Sequence, residues 1–177
     1  MTEIKLSILE VNLGTSVWPR TKPQMSTWKR YGYVLYEGKD RRGRDRIKIS
    51  PEITIDSEGR NSRILHDFTI NMQAIPVPQI TYLREVESQT QIRQISYLDP
   101  TSKRGMKSSE EVKKLRASVF NMIGPIIEET KDHITIPITV YEYEDGMAEY
   151  EEPHIIPKDS IINQLNYTSN PARAGVL

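Results

Sequence analysis

Apolar and polar residues alternate along most of this chain. From Ile64 to Ala74 the even positions Ile64, His66, Phe68, Ile70, Met72 and Ala74 line one face, and Asp67, Thr69, Asn71 and Gln73 line the other. A period of two over this length is the pattern of a half-buried strand. Glu3 to Val11 alternates in the same way, with Ile4, Leu6 and Ile8 together. Ile47 and Ile49, then Ile53 and Ile55, mark two short strands split by Pro51. Ser26–Gly38 contains Tyr33, Val34, Leu35 and Tyr36, whose preferences favour a strand. Ile80–Val86 and Ile92–Leu98 suggest a further pair, and His133–Gly146 places Ile134, Ile136, Ile138 and Val140 on one face. Pro137 inside that last run favours an edge position, because proline donates nothing to a ladder.

One region changes period. Ser108 and Glu111 have capping-box spacing, and Val112, Leu115, Val119, Met122 and Ile123 then recur at helical intervals before Gly124-Pro125. The spacing predicts a helix over Ser109–Ile123. Asp159 predicts a second, short helix through Leu165, and the polar stretch from Asn166 reads as a flexible tail. The expected fold is therefore α+β. A mostly antiparallel sheet, covered by one main helix and a short C-terminal helix, occupies residues 1–165 as one domain, and 166–177 form the tail.

Charge changes this picture more than composition does. The formal net charge is zero, yet residues 1–116 hold 21 Lys/Arg against 14 Asp/Glu, and residues 117–177 hold 3 against 10. The two segments thus carry surpluses of +7 and −7. The basic surplus concentrates in GKDRRGRDRIKIS (Gly38–Ser50), with Lys39, Arg41, Arg42, Arg44, Arg46 and Lys48 broken only by Asp40 and Asp45. The acidic surplus concentrates in EYEDGMAEYEE, with Glu142, Glu144, Asp145, Glu149, Glu151 and Glu152. The plain reading of both is a solvated surface. The sharper one is mutual attraction between copies, the basic loop of one meeting the acidic stretch of the next in a head-to-tail contact that builds an open polymer. The loop reads as exposed and mobile, since six cations need partners or water.

Chemistry is hard to find. His66, His133 and His154 lack metal-ligand spacing, and His66 on an apolar strand face reads as a core histidine. Phosphate-loop, dinucleotide and nucleophile-elbow patterns are missing, and the acidic run fits neither a glycosidase pair nor a calcium loop. With no cysteine, thiolate metal sites and Cys nucleophiles are excluded, and a reducing compartment is the simplest address. No run approaches the ~20 apolar residues of a membrane span, and MTEIKLSILEVN lacks a signal-peptide pattern. The expectation is a non-enzyme with no cofactor or metal. Its basic loop would meet protein, anionic lipid or, secondarily, RNA phosphate.

The stretch DHITIPITVYEYEDGMAEYEEPHII (Asp132–Ile156) resembles a late strand of rhabdovirus matrix proteins: alternating Thr and apolar residues, an aromatic, acids, then a proline-containing exit. EIKLSILEVNL is similar in character to their first core strand, and the small size resembles the plant-infecting, cytorhabdovirus-like branch. The chain has no P-P-x-Y or P-[ST]-A-P budding motif. The resemblance implies a matrix protein that self-associates, condenses the viral nucleocapsid and bridges it to the envelope. It would lie beneath that envelope in the virion and at membranes in the host cytoplasm. Lys39, Arg41, Arg42, Arg44, Arg46 and Lys48 would meet membrane or nucleoprotein, and the six acids would serve self-association. The alternatives are a nucleic-acid-binding accessory protein using the Arg-rich loop and a subunit of another polymeric shell.

Overall fold

The computed structural model describes residues 7–14, 25–55, 61–65, 67–74, 78–99, 109–110 and 118–169. These residues form an almost wholly antiparallel β structure. The strands are β1 (Ile8–Asn12), β2 (Met25–Lys39), β3 (Asp45–Ser50), β4 (Glu52–Ile55), β5 (Asn61–Leu65), β6 (Phe68–Asn71), β7 (Gln79–Val86) and β8 (Ile92–Asp99). They continue as β9 (Ser118–Pro125), β10 (Glu128–Glu129), β11 (His133–Ile136), β12 (Thr139–Tyr143), β13 (Ala148–Glu151), β14 (His154–Pro157) and β15 (Ile161–Ser169). One sheet runs β13-β12-β2-β1-β7-β15-β8-β9-β4-β5, with β3 joined to β2 and β6 joined to β3; β10-β11-β14 form a second, small sheet.

The large sheet curls into a half-barrel. Its path returns towards itself through the chain, because β3 pairs with β2, runs on across Pro51 into β4, and β4 pairs with β9. The sequence split at Pro51 thus marks a strand that leaves one part of the sheet for another. Gly32 on β2 sits where that crossing is closest: a Cβ there would lie 2.9 Å from the Ser50 carbonyl oxygen. Inside the half-barrel Ile8, Tyr33, Ile53, Ile123 and Tyr167 pack together from five strands. On the opposite face of β1 and β2, Leu9, Val11, Ile47, Ile49 and Ile70 form a second core. A third lies between β8–β9 and the small sheet, where Ile95 and Met122 meet Ile134, Ile136 and Ile156. The small sheet is also tied down by charge: Glu129 takes the Arg93 guanidinium at 2.8 Å and the Lys158 ammonium at 2.9 Å. The Lys158 bond and the Arg93 bond and charge hold the Glu129 carboxyl below its ordinary range despite the opposing effect of partial burial.

The helix-covered sheet expected from sequence is not what forms. Among the described residues no helix reaches seven residues; Ser109 and Glu110 alone have α-helical geometry, and 111–117 lie outside the described set. The second half of the expected helix is β9. Its residues Phe120, Asn121, Met122 and Ile123 are all buried, because Met122 faces the small sheet and Ile123 faces the half-barrel interior. A strand covered on both faces loses its alternation, and Val119, Met122 and Ile123 then imitate helical spacing. The expected C-terminal helix is a single 3-10 turn at Lys158–Ser160, followed by β15, which continues through Ser169 past the expected boundary at 165. The eleven-residue strand from Ile64 is instead β5 and β6, with His66 outside the described residues. Its alternation survives in part: Ile70 and Met72 are buried while Asp67, Thr69 and Gln73 are exposed. The run His133–Gly146 also divides at Pro137, with β11 going to the small sheet and β12 to the large one.

Ile123 is fully buried in the half-barrel interior. Ile123→Ala is expected to cost about 2–5 kcal/mol in urea unfolding, while Thr69→Ala on the exposed face should change stability by under about 0.5 kcal/mol. Equal effects at the two positions would show that β9 does not face an interior.

Two oppositely charged hairpin tips as the candidate functional site

Both charge clusters found in the sequence are hairpins built on β2. β3 pairs with the C-terminal half of β2, from Tyr33↔Ser50 to Lys39↔Asp45. β12 pairs with its N-terminal half, from Thr139↔Arg30 to Tyr143↔Met25. β1 covers Lys29 to Tyr33 and thus overlaps both, so β12 and β3 must share the other edge of β2. The basic tip therefore extends from one end of β2 and the acidic tip from the other. At about 3.3 Å per residue, this 15-residue strand has a contour length of nearly 50 Å.

The two tips have the same backbone. In the basic one the Gly43 N–H donates to the Asp40 carbonyl at 3.0 Å and the Asp40 N–H to the Arg44 carbonyl at 2.9 Å. In the acidic one the Gly146 N–H donates to the Tyr143 carbonyl at 3.0 Å and the Tyr143 N–H to the Met147 carbonyl at 2.9 Å. Each is a tight turn of two residues followed by a glycine at positive φ, 75° for Gly43 and 83° for Gly146. A Cβ at either glycine would meet nothing within 4 Å, so conformation and not space selects the residue. The two residues at the apex are Arg41-Arg42 in one turn and Glu144-Asp145 in the other.

The six basic residues are not equivalent. Asp40 gathers the tip: its carboxylate accepts the Arg42 N–H at 2.8 Å, the Arg44 N–H at 2.9 Å and the Arg44 Nε–H at 2.8 Å. It also pairs with Nη2 of Arg44 at 2.8 Å and of Arg46 at 3.0 Å. Lys39 pairs with Asp45 at 3.0 Å, and Lys48 pairs with Asp67. Only the exposed Arg41 and Arg42 side chains have no acidic partner among the described residues. The tip expected to be mobile is an ordered turn held by one carboxylate.

The acids divide in the same way. Glu142 accepts the Thr27 hydroxyl at 2.6 Å and the Lys29 ammonium at 2.9 Å, which hold its carboxyl below the ordinary range. Glu151 pairs with Arg30 at 3.2 Å and accepts the Tyr141 hydroxyl at 3.0 Å. Arg30 in turn lies 4.2 Å from the Phe68 ring centroid and 5.6 Å from that of Trp28, which stacks on Tyr141 at 5.9 Å. Glu149 accepts the Tyr143 hydroxyl at 2.5 Å. Glu142 and Glu151 thus fasten the hairpin to β2. Glu144 and Asp145 stand exposed at the apex, where Asp145 accepts the Met147 N–H at 3.0 Å, and Glu152 follows β13 at φ 47°. Sequence reading missed the ordering role of Asp40. Its signal is present in Asp-Arg-Arg-Gly-Arg, an acid placed before a two-residue turn and its glycine.

His133 lies 3.1 Å from Glu128 and His154 lies 3.8 Å from the buried Glu52, while His66 is outside the described residues. Among the described residues no three His, Asp or Glu side chains are grouped to hold a metal.

Two expectations follow. Backbone hydrogen bonds from Arg44 and Arg42, with the Arg44 side chain, lower the Asp40 carboxyl to about 2 against the opposing effect of desolvation. A depressed carboxyl contributes stability that is present above its unfolded value of about 3.9 and lost as pH falls through the folded value. The melting-point gap between the protein and Asp40→Asn should therefore shrink between about pH 4 and pH 2; a constant gap would remove this linkage. If RNA binds at the tip, two free arginines neutralise about two phosphates, so log K should fall with log salt at a slope near −1.4 for single strands, not the roughly −4 of six contacts. The steeper slope would mean that the internal pairs open. Comparison with protein families, with curated proteins and with solved structures finds no match for this chain.

Proposed function

We propose that this chain is a structural protein that works by binding copies of itself, in the manner of a viral matrix protein. One observation carries the reading: two turns with the same backbone bonds and opposite sign stand at the two ends of one strand, and the exposed charges at each apex have no ion-pair partner among the described residues. The pairs Lys29–Glu142 and Arg30–Glu151 join the two segments, whereas those of Arg44 and Arg46 with Asp40, Lys39 with Asp45 and Lys48 with Asp67 lie within the basic segment and fix which cations are engaged, leaving Arg41-Arg42 and Glu144-Asp145 as the apex charges outside these pairs. Exposed ion pairs contribute only about 0–1 kcal/mol each and are screened within roughly 8 Å at physiological salt. Charge therefore sets orientation and rate, and other contacts supply most of the affinity.

The matrix setting comes from the resemblance of 132–156, the segment that forms β11 to β14 and so includes the acidic hairpin. In that setting copies assemble between a nucleocapsid and an anionic membrane beneath the envelope, either as an open head-to-tail polymer or from closed pairs. Arg41 and Arg42 are the residues available to lipid or nucleoprotein when they are not engaged by another copy. RNA phosphate is a secondary partner through the same two side chains.

A reciprocal swap tests self-association. Glu144→Lys with Asp145→Lys should weaken concentration-dependent assembly in sedimentation velocity at low salt. Adding Arg41→Glu and Arg42→Glu in the same chain should partly restore it. Glu149, Glu151, Arg44 and Arg46 are left intact because each already has a partner, Glu151 on β2 and the others within their own hairpins. Assembly of the acidic-tip variant at the level of the unmodified protein would refute the proposal.

A further inference from the structure

We infer that the edge shared by β13 and β6 is a two-fold dimer interface, at which β13 of one copy pairs antiparallel with β6 of another, twice. The inference rests on the self-association proposed above and specifies its geometry.

β12 and β3 lie on one edge of β2 and run in the same direction, so their outer neighbours β13 and β6 also follow one another along one line. Arg30 marks where they meet, because its guanidinium touches both the Phe68 ring, at the start of β6, and Glu151, at the end of β13. Among the described residues β13 pairs only with β12 and β6 only with β3. The bond from the Tyr143 N–H to the Met147 carbonyl fixes the alternation of β13, and turns the backbone groups of Ala148 and Tyr150 outward. The bond from the Met72 N–H to the Asp45 carbonyl does the same for β6, and turns Thr69 and the Asn71 N–H outward. Neither strand contains the Lys or Pro that commonly guards an exposed edge.

The composite edge begins at the acidic tip and ends at the basic tip. Two copies related by a two-fold axis lay these edges side by side in opposite directions. Ala148 then faces Asn71, Tyr150 faces Thr69, and each acidic tip lies beside the basic tip of the other copy. Antiparallel pairing, hydrogen-bond alternation and charge all agree in this one register, and the contact is isologous and so closes. Tyr150, 45% exposed, becomes covered at its centre.

The chain has no cysteine, so cross-linking can be read cleanly. A Thr69→Cys, Tyr150→Cys double variant would place the two Cα atoms about 5.5 Å apart across the interface, within disulfide reach. Within one copy these positions lie opposite Tyr36 and Lys29 of β2, roughly 20 Å apart, so any bond is between copies. Oxidation at low salt should give a single covalent dimer, and either single variant should not yield that product. Ala148→Pro removes an outward N–H and should weaken the dimer at least tenfold in sedimentation equilibrium, while Ala148→Val should not. A ladder of covalent oligomers would replace the closed dimer with an open head-to-tail chain, leaving self-association intact. An unmodified protein that associates while the double variant does not cross-link would place the contact elsewhere. A protein that stays monomeric at high concentration and low salt would overturn both this pairing and the self-association beneath it.

Discussion

Every backbone N–H and C=O of a buried strand needs a partner, and β2 meets this requirement in an unequal way that shapes the molecule. Among the described residues one side of it is covered by β1. On the other, β12 and β3 divide its length, because β3 turns inward at Pro51 to become β4 and leaves the N-terminal half of the strand open. Gly32 permits that departure by letting the Ser50 carbonyl approach a position where no side chain fits. Two consequences come from this division. The half-barrel gains a continuous strand joining its two ends, and two hairpins hang from one edge with their turns at opposite ends.

Charge follows from the same arrangement. A hairpin that pairs with a strand brings its own side chains beside those of the strand, and here the neighbours are complementary. Lys29 and Arg30 of β2 meet Glu142 and Glu151 of the acidic hairpin, and Asp40 and Asp45 hold the basic one. Part of the sequence-level dipole is consumed internally as a result, where Lys29–Glu142, Arg30–Glu151 and Arg93–Glu129 join the basic segment to the acidic one. Among the described residues the apex side chains Arg41, Arg42, Glu144 and Asp145 have no ion-pair partner.

Much of this was legible in the sequence, for identifiable reasons. β2, β7 and β8 alternate or carry strong strand formers, and each was located within a few residues. The break at Pro51 was also visible, though not its meaning as a crossing between parts of the sheet. β9 was not legible: Met122 and Ile123 each face a different core, and a doubly buried strand has no polar face to give the period away. The division of His133–Gly146 between two sheets was hidden by an unbroken alternation on either side of Pro137. For the candidate site, the opposite charges and both turn glycines were readable, whereas the pairing of Arg44 and Arg46 with Asp40 depends on three-dimensional proximity. That β13 and β6 share one line could not be read at all, since it depends on which edge of β2 each hairpin occupies.

One edge of β2, divided between two hairpins, leaves the outer edges of β13 and β6 without a strand partner among the described residues, and the proposed dimer covers them with another copy. Amide hydrogen exchange tests it most directly, with Thr69 and Tyr150 as outward groups and Ile70 and Glu149 as their inward neighbours. In dilute protein the inward amides should be protected and the outward ones should exchange freely. On concentration at low salt, Thr69 and Tyr150 should become protected together. Protection of these two at the lowest concentration, or free exchange at every concentration, would contradict the account.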